Sequence, residues 1–140
     1  MAPVTLMIAA AATLGLVGCG DDDDDGGAAG TIDATLKDFE IQLSDSSAPA
    51  GEVTFEVKNE GPSVHEFVVF ETDLKPDKLP TDDNGDVAEG DDLEPVDEIE
   101  DIEPDATPSL TVDLAAGHYV VACNVPGHYR QGMHTEFTAT

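Results

Sequence analysis

The stretch "CNVPGHYRQGM", residues 123–133, places a cysteine, a histidine and a methionine at intervals of five residues. A turn signal, Val125-Pro126-Gly127, lies between the first two of them. A turn there allows His128 to face the same point in space as Cys123, and a second short loop returns Met133 to that point. The spacing alone leaves two interpretations open: the end of a small β domain, or a loop that holds a metal ion.

A distant segment favours the metal-binding interpretation. His65 begins the run "HEFVVF", residues 65–70, which is apolar enough for an interior β-strand. A thiolate and two imidazoles satisfy copper in a trigonal plane, and a distant thioether adds a weak axial bond that tunes the reduction potential. The sequence therefore predicts one type 1 copper ion with four ligands: His65, Cys123, His128 and Met133.

The two remaining histidines are predicted to lie outside this site. His118 is out of phase with Cys123 along its strand, and His134 directly follows the methionine. Lone histidines are more often surface or core residues than ligands, and Cys123 alone would be read as a plain buried thiol. That interpretation does not explain two histidines and a methionine at such spacing.

Regular alternation of apolar residues predicts an all-β domain over residues 31–140. Residues 31–43 alternate in two phases with a slip near Lys37 and Asp38, which suggests a bulge in one long, bent strand. Turn signals separate the further predicted strands, and no amphipathic helix is evident. Short strands of this kind predict a β-sandwich. The further strands are predicted at residues 53–57, 64–70, 110–114, 119–123 and 134–139.

Two stretches resemble the cupredoxin family, of the plastocyanin, azurin, auracyanin and sulfocyanin type: "NEGPSVHEF", residues 59–67, and "AAGHYVVACNVPGHYRQGM", residues 115–133. The resemblance spans nearly all of residues 31–140 and implies a cupredoxin-like Greek-key β-sandwich. It places the first family histidine at His65. Gaps of four residues on both sides of His128 resemble auracyanin and sulfocyanin more than plastocyanin.

The resemblance also implies a route for electrons, and this chain differs from the family at one position beside the first histidine. The family's usual exit is the exposed edge of the second histidine, here His128, which predicts a surrounding apolar docking patch. Many relatives have an asparagine directly after the first histidine, where it helps to pin the copper loop, and this chain has Glu66. The residues predicted for the patch are Pro62, Val125, Pro126 and Tyr129.

An acidic segment, residues 71–107, interrupts the strand pattern. It holds sixteen acidic residues, several prolines and little periodicity, so we predict a long acidic insertion on the surface. The sequence leaves open whether this insertion is ordered around the domain or loose.

The first thirty residues are predicted to be a leader and a tether. Residues 1–18 contain no charged side chain and an apolar run too short for a membrane span, which is typical of a signal peptide. The end of this leader resembles the bacterial lipobox, which predicts a lipid on Cys19; the alternative is an ordinary secretory peptide. Residues 19–30 are acidic and glycine-rich, so they predict a flexible tether outside the cytoplasm.

The cysteine count supports a metal ligand. The chain has two cysteines, and the predicted lipid on Cys19 leaves Cys123 without a disulfide partner. In an oxidising compartment such a thiol is a buried inert residue, an intermolecular link or a metal ligand.

The charge of the chain limits its partners. The formal net charge is −26, from 31 acidic and five basic residues. Such a chain repels nucleic acid and anionic lipid headgroups, so membrane attachment is expected through the lipid anchor only. A charged partner is expected to present a basic surface; solubility in a salty habitat is the alternative reason for the acidity.

These features favour an electron carrier between respiratory or photosynthetic redox partners. The expected partner is a basic cytochrome or terminal oxidase domain, and the protein is expected to be a monomer. Copper storage or delivery is the alternative, but it calls for many exchangeable ligands, and Met133 is the single methionine after the leader. An enzyme is not expected, because multicopper oxidases place histidines on both sides of the cysteine, where this chain has Ala122 and Asn124. The complete ligand set disfavours a metal-free adhesion domain.

Overall fold

A computed structural model describes residues 28–140 as two mixed β-sheets, with the strands numbered β1 to β9 in chain order. The four-stranded sheet has the order β2-β1-β4-β7, and the five-stranded sheet has the order β3-β9-β8-β5-β6. The pairs β1–β4 and β3–β9 are parallel, and the other pairs are antiparallel. The strands are β1 (Ala28–Lys37), β2 (Glu40–Leu43), β3 (Ser47–Ala48), β4 (Gly51–Asn59), β5 (His65–Glu71), β6 (Pro95–Ile102), β7 (Ser109–Leu114), β8 (Gly117–Ala122) and β9 (His134–Ala139).

The main core lies between the two sheets. Alternate residues of the strands point inward, as in β7, where buried and exposed positions alternate along the whole strand. The ring of Phe55 lies 5.2 Å from that of Phe67 and 5.3 Å from that of Phe137, so β4 packs across the sandwich on β5 and β9. Each such buried ring contributes about 1.5–3 kcal/mol. The predicted all-β sandwich is confirmed.

The first predicted strand is a hairpin instead. Lys37 pairs with Glu40, so Asp38 and Phe39 form a two-residue turn between β1 and β2, and Phe39 has a positive φ of 66°. Pairing across this turn places Leu36 opposite Ile41, on one face of the sheet. A two-residue turn therefore produces the same one-residue phase slip as a bulge, and the prediction of one bent strand was wrong.

The strand β5 is buried on both faces, as its apolar sequence predicts. Phe67 and Val69 face the core between the sheets, whereas Val68 and Phe70 belong to a second buried cluster with residues of β8. Residues of the acidic segment and of the 123–133 loop complete that second cluster. They are Leu79, Val87, Leu93 and Tyr129.

The acidic segment is more structured than a surface excursion. Its residues 95–102 form β6, which pairs with β5 at the edge of the five-stranded sheet. The preceding part contains a short 3₁₀ turn at Pro76–Lys78 and two isolated bridges, Thr81 with Val87 and Gly90 with Leu93. The low apolar periodicity of β6 arises because an edge strand of this sheet exposes much of its surface.

The predicted leader, Cys19 and most of the tether lie outside the described residues. Within residues 28–140, no helix is long and apolar enough to cross a membrane. The folded region includes Ala28, three residues before the predicted start at Thr31.

Candidate metal centre

Two neighbouring strands of the five-stranded sheet and one loop bring the predicted ligands together at one end of that sheet. His65 is the first residue of β5, and Cys123 directly follows β8. The 123–133 loop folds back on itself, because the N–H of His128 donates to the carbonyl of Val125 at 2.9 Å and the N–H of Cys123 donates to the carbonyl of Met133 at 3.0 Å. The N–H of Met133 donates to the carbonyl of His128 at 3.3 Å. These bonds hold the two ends of the loop side by side.

Three of the four predicted ligands place their donor atoms around one point. The two Nδ1 atoms of His65 and His128 lie 3.2 Å apart, and the Sγ atom of Cys123 lies 3.5 Å from the Nδ1 of His128 and 3.8 Å from that of His65. Donor atoms bound at about 2.0–2.3 Å to one ion in a trigonal plane are about 3.5–3.8 Å apart. The two distances from the sulfur fall in this range, and the distance between the two nitrogens is slightly shorter, so the three groups are close enough together to bind a single metal ion.

The cluster is closed to solvent on nearly every side. His65, Cys123 and Met133 are fully buried, and His128 is 9% exposed. Met133 belongs to the main core, next in space to the backbone of Cys123. Among the described residues, His65, Cys123 and His128 form the one group of three or more titratable side chains with the spacing of metal ligands. Two imidazoles, a thiolate and a nearby thioether fit one type 1 copper ion.

Burial determines the protonation of the ligands before metal binds. Burial raises the pKa of the Cys123 thiol to about 11, and the N–H of Glu66 opposes this shift. Burial also lowers the pKa of His65; the charge of His128 adds to that effect, and Asp38 opposes it. The metal-free site therefore holds a neutral thiol and a neutral His65 at pH 7, and binding of a metal releases the thiol proton.

Backbone and amide groups pin the segment around the sulfur. The N–H of Glu66 lies 3.3 Å from the Sγ of Cys123 and donates to it. The buried amide of Asn59 donates to the carbonyls of Ser63 and Ile102, both at 2.8 Å, and accepts from the N–H of the residue two positions later at 2.9 Å. Glu66 therefore keeps the backbone contact to sulfur, and Asn59 fixes the turn that leads into His65.

The turn of the β1–β2 hairpin supplies two neighbours that the sequence did not reveal. The carboxylate of Asp38 reaches His65, with Oδ1 3.0 Å from Nε2. The ring of Phe39 meets that of His128 edge-on, with centroids 5.1 Å apart. The sequence signal for this turn is the phase slip between residues 31 and 43, which a hairpin turn explains as well as a bulge does. The contacts of the turn with the two histidines could not be predicted, because these residues are far apart in the chain.

The acidic segment holds the outer side of the 123–133 loop. The hydroxyl of Tyr129 accepts from the N–H of Leu79 at 3.0 Å and donates to the carbonyl of Pro76 at 2.7 Å. The carboxylate of Asp86 accepts from the N–H of Gly127 at 2.7 Å, at the tight turn where Gly127 has a φ of +83°. The loop is thus fixed from the core side by its own backbone bonds and from the outside by this segment.

A second amide joins the same two segments. The Oδ1 of Asn124 accepts from the N–H of Val87 at 2.8 Å, and its Nδ2 donates to the carbonyl of Val87 at 3.1 Å and to the carboxylate of Glu89 at 2.9 Å. The guanidinium of Arg130 donates to the carbonyl of Asn84 at 2.8 Å. These side chains extend the contact with the acidic segment over residues 124–130 of the loop.

The predicted docking patch is only partly at the surface. Pro62 and Pro126 are exposed and Val125 is half-buried. Tyr129 is 5% exposed, because its ring packs in the second cluster and its hydroxyl bonds to the acidic segment. The prediction that Tyr129 lies on the docking surface was therefore wrong.

The two other histidines lie apart from the cluster. His118 contacts the carbonyl of Thr72 and the carboxylate of Glu136. The ring of His134 lies against that of Tyr129, with centroids 5.1 Å apart. Each is engaged by its own neighbours.

Solved structures provide the comparison with known proteins. An auracyanin of Roseiflexus castenholzii has 19% sequence identity and a TM-score of 0.60, over 82% of this chain and 99% of that chain. Auracyanin A of Chloroflexus aurantiacus, a "blue" copper protein, has 20% identity and a TM-score of 0.55, over 81% of this chain and 100% of that chain. Rusticyanin of Thiobacillus ferrooxidans has 17% identity and a TM-score of 0.56, over 80% of this chain and 78% of that chain.

Sequence comparison adds no match: no family model and no curated protein corresponds to the chain. The likeness to the auracyanins and rusticyanin, with the two-sheet topology described above, shows that the chain has the cupredoxin fold.

Proposed function

We propose that this protein is a one-electron carrier that holds one type 1 copper ion with His65, Cys123, His128 and Met133. The observation that supports this function is the buried cluster of two imidazole nitrogens and one sulfur, all within 4.8 Å of one another. Copper supplies the one-electron couple, and the soft thiolate and the imidazoles are ligands that suit both of its oxidation states.

The surroundings of the cluster suit electron transfer better than copper exchange. Three of the proposed ligands, Cys123, His128 and Met133, are fixed by backbone bonds within the 123–133 loop and by the acidic segment outside it. A site held on both sides changes little in geometry between oxidation states, which keeps the cost of reorganisation low. The same burial slows release of the ion, which disfavours a storage or delivery role.

The direct test is addition of Cu(II) to the purified apoprotein. We expect an intense visible absorption band, the electron paramagnetic resonance signal of a type 1 site and one copper per chain. Cys123→Ser should abolish the band because the thiolate is its source, whereas Met133→Leu should keep the band and change the reduction potential. A wild-type protein without the band, or a serine variant that keeps it, would refute the proposal.

Electrons are proposed to enter and leave at His128. This histidine, at 9% exposure, is the one proposed ligand that is not fully buried, and Phe39 lies against its ring. Pro62, Val125 and Pro126 are proposed as the apolar surface that a partner contacts. A larger fall in the electron-transfer rate for Pro126→Glu than for a charge added at Gln42, on β2, would support this surface; equal rates for both variants would contradict it.

The partner is proposed to be a redox protein with a basic surface, such as a cytochrome or terminal oxidase domain. The net charge of −26 supports this choice, since opposite charges accelerate association in a salt-dependent way. Transfer rates to a basic cytochrome should fall steeply with added salt. A rate independent of ionic strength would contradict electrostatic steering.

Attachment outside the cytoplasm through a lipid on Cys19 completes the proposal. The lipobox-like sequence before Cys19 and the acidic tether after it support this location. Mass analysis of the protein from membrane fractions should show an acylated Cys19. An unmodified, freely released product would exclude the anchor.

A further inference from the structure

The carboxylate of Asp38 lies against the side of His65 that faces away from the cluster. Its Oδ1 is 3.0 Å from Nε2, and the histidine side chain is fully buried while that of Asp38 is 26% exposed. The contact does not have the geometry of a hydrogen bond, and Nε2 makes no hydrogen bond within residues 28–140. The contact is therefore a close charge–dipole interaction at a buried ring nitrogen that has no hydrogen-bond partner in this part of the chain.

The surroundings hold Asp38 in this place. The hydroxyl of Ser63 donates to Oδ2 at 2.8 Å, and the N–H of Ser63 donates to Oδ1 at 3.4 Å. These bonds tie the carboxylate to the turn that precedes His65.

Two backbone features make the approach possible. Asp38 occupies a two-residue turn in which Phe39 adopts a positive φ of 66°, a conformation that side chains of this kind rarely adopt. Gly61 lies beside the contact, and a Cβ there would be 2.7 Å from the Oδ1 of Asp38 and 2.9 Å from the Nε2 of His65. Only a residue without a side chain at position 61 leaves room for Asp38 to contact His65.

A carboxylate at the outer nitrogen of a ligand histidine has two physical effects. It favours the tautomer with the proton on Nε2, which leaves the Nδ1 lone pair free to bind a metal ion. It also adds negative charge and raises the basicity of the ligand, which stabilises the more positive oxidation state of the metal.

We propose that Asp38 is a positioning residue for His65, which fixes the orientation of the ring and lowers the reduction potential of the copper site. The effect on the potential rests on the proposed function, whereas the effect on the tautomer concerns the protein without metal.

The potential is tested with Asp38→Asn, which removes the charge and keeps the shape. The matched control is Asp33→Asn, which removes a carboxylate from an exposed position on β1, before the turn. We expect Asp38→Asn to raise the Cu(I)-to-Cu(II) affinity ratio at least tenfold, about 59 mV for one electron. The control should change it less than threefold. Equal shifts in the two variants would overturn the proposal.

The tautomer is tested by nitrogen NMR of His65 in the apoprotein. We expect the wild-type ring to carry its proton on Nε2, and Asp38→Ala to shift a large part of the population to Nδ1. A wild-type ring protonated on Nδ1 would overturn the proposal. If the wild-type protein bound no copper, the proposed function would fail, and the tautomer alone would decide the role of Asp38.

Discussion

Substitution of Tyr129 by phenylalanine tests the bond between the acidic segment and the ligand loop. The hydroxyl accepts from the buried N–H of Leu79 and donates to the carbonyl of Pro76. Tyr129→Phe keeps the ring in the second cluster and removes both bonds. The segment then loses its polar link to the middle of the 123–133 loop.

The structure sets the expected size of this effect. A buried N–H without a partner costs about 1–3 kcal/mol, and a carbonyl with a second lone pair costs less. We therefore expect the free energy of unfolding to fall by about 2 kcal/mol, which is about 30-fold in the equilibrium constant. Tyr119→Phe is the matched control, because its hydroxyl makes one bond, to the carbonyl of Ala115 at 2.7 Å. We expect that variant to lose about 0.5–1 kcal/mol.

Urea unfolding of the two apoproteins, with hydrogen exchange at Leu79, measures the difference. The Leu79 amide should exchange faster in Tyr129→Phe and should be unchanged by Tyr119→Phe beyond the general loss of stability. A loss below 0.5 kcal/mol in Tyr129→Phe, with Leu79 still protected, would refute the conclusion that this hydroxyl fixes the segment.

Two further substitutions test the packing and the titration near the site. Gly61→Ala should lower the free energy of unfolding by about 1–3 kcal/mol, because its Cβ would collide with Asp38 and His65. Gly90→Ala is the control and should be nearly neutral, because a Cβ there has open space. Equal urea midpoints for the two variants would contradict this prediction. The pKa of Glu66 is raised to about 7, first by desolvation and then by neighbouring carboxylates. Because the folded protein holds this proton more tightly than the unfolded chain, with its ordinary pKa of 4.5, this stability is full below pH 4.5 and is lost as the pH rises through about 7. Urea midpoints of the apoprotein should therefore fall more between about pH 5 and about pH 8, a range that covers most of the interval between the two pKa values, than those of Glu66→Gln. Parallel pH profiles would contradict the shift.

Much of the sandwich could be predicted from local patterns. The strands β4, β7 and β9 have apolar residues at alternate positions, and the strand β5 is apolar on both faces because both are covered. The ligand loop was recognisable because Cys123, His128 and Met133 lie within one short stretch. These features depend on residues that are near one another in the chain.

The remaining features depend on contacts between distant segments. Asp38 meets His65 across 27 positions, and Asp86 meets Gly127 across 41. Neither contact produces a local pattern in the sequence, so composition and spacing do not reveal these two pairs. The acidic segment was predicted to be a surface excursion because its charges outnumber its apolar residues, although three of those residues, Leu79, Val87 and Leu93, are buried against the sheet.

The acidic segment makes two separable contributions to this protein. Three of its apolar side chains, Leu79, Val87 and Leu93, are buried on the outer face of the five-stranded sheet, whereas Asp91 and Asp92 are exposed. The buried residues act on the stability of the ligand loop at contact distance, and the exposed charges act on an approaching partner at long range, where salt screens them. Neutralisation of the exposed charges should therefore change association rates without changing the copper site. The packing of the segment accounts for its place on the loop, and its acidity requires a separate reason, which the proposed basic partner supplies.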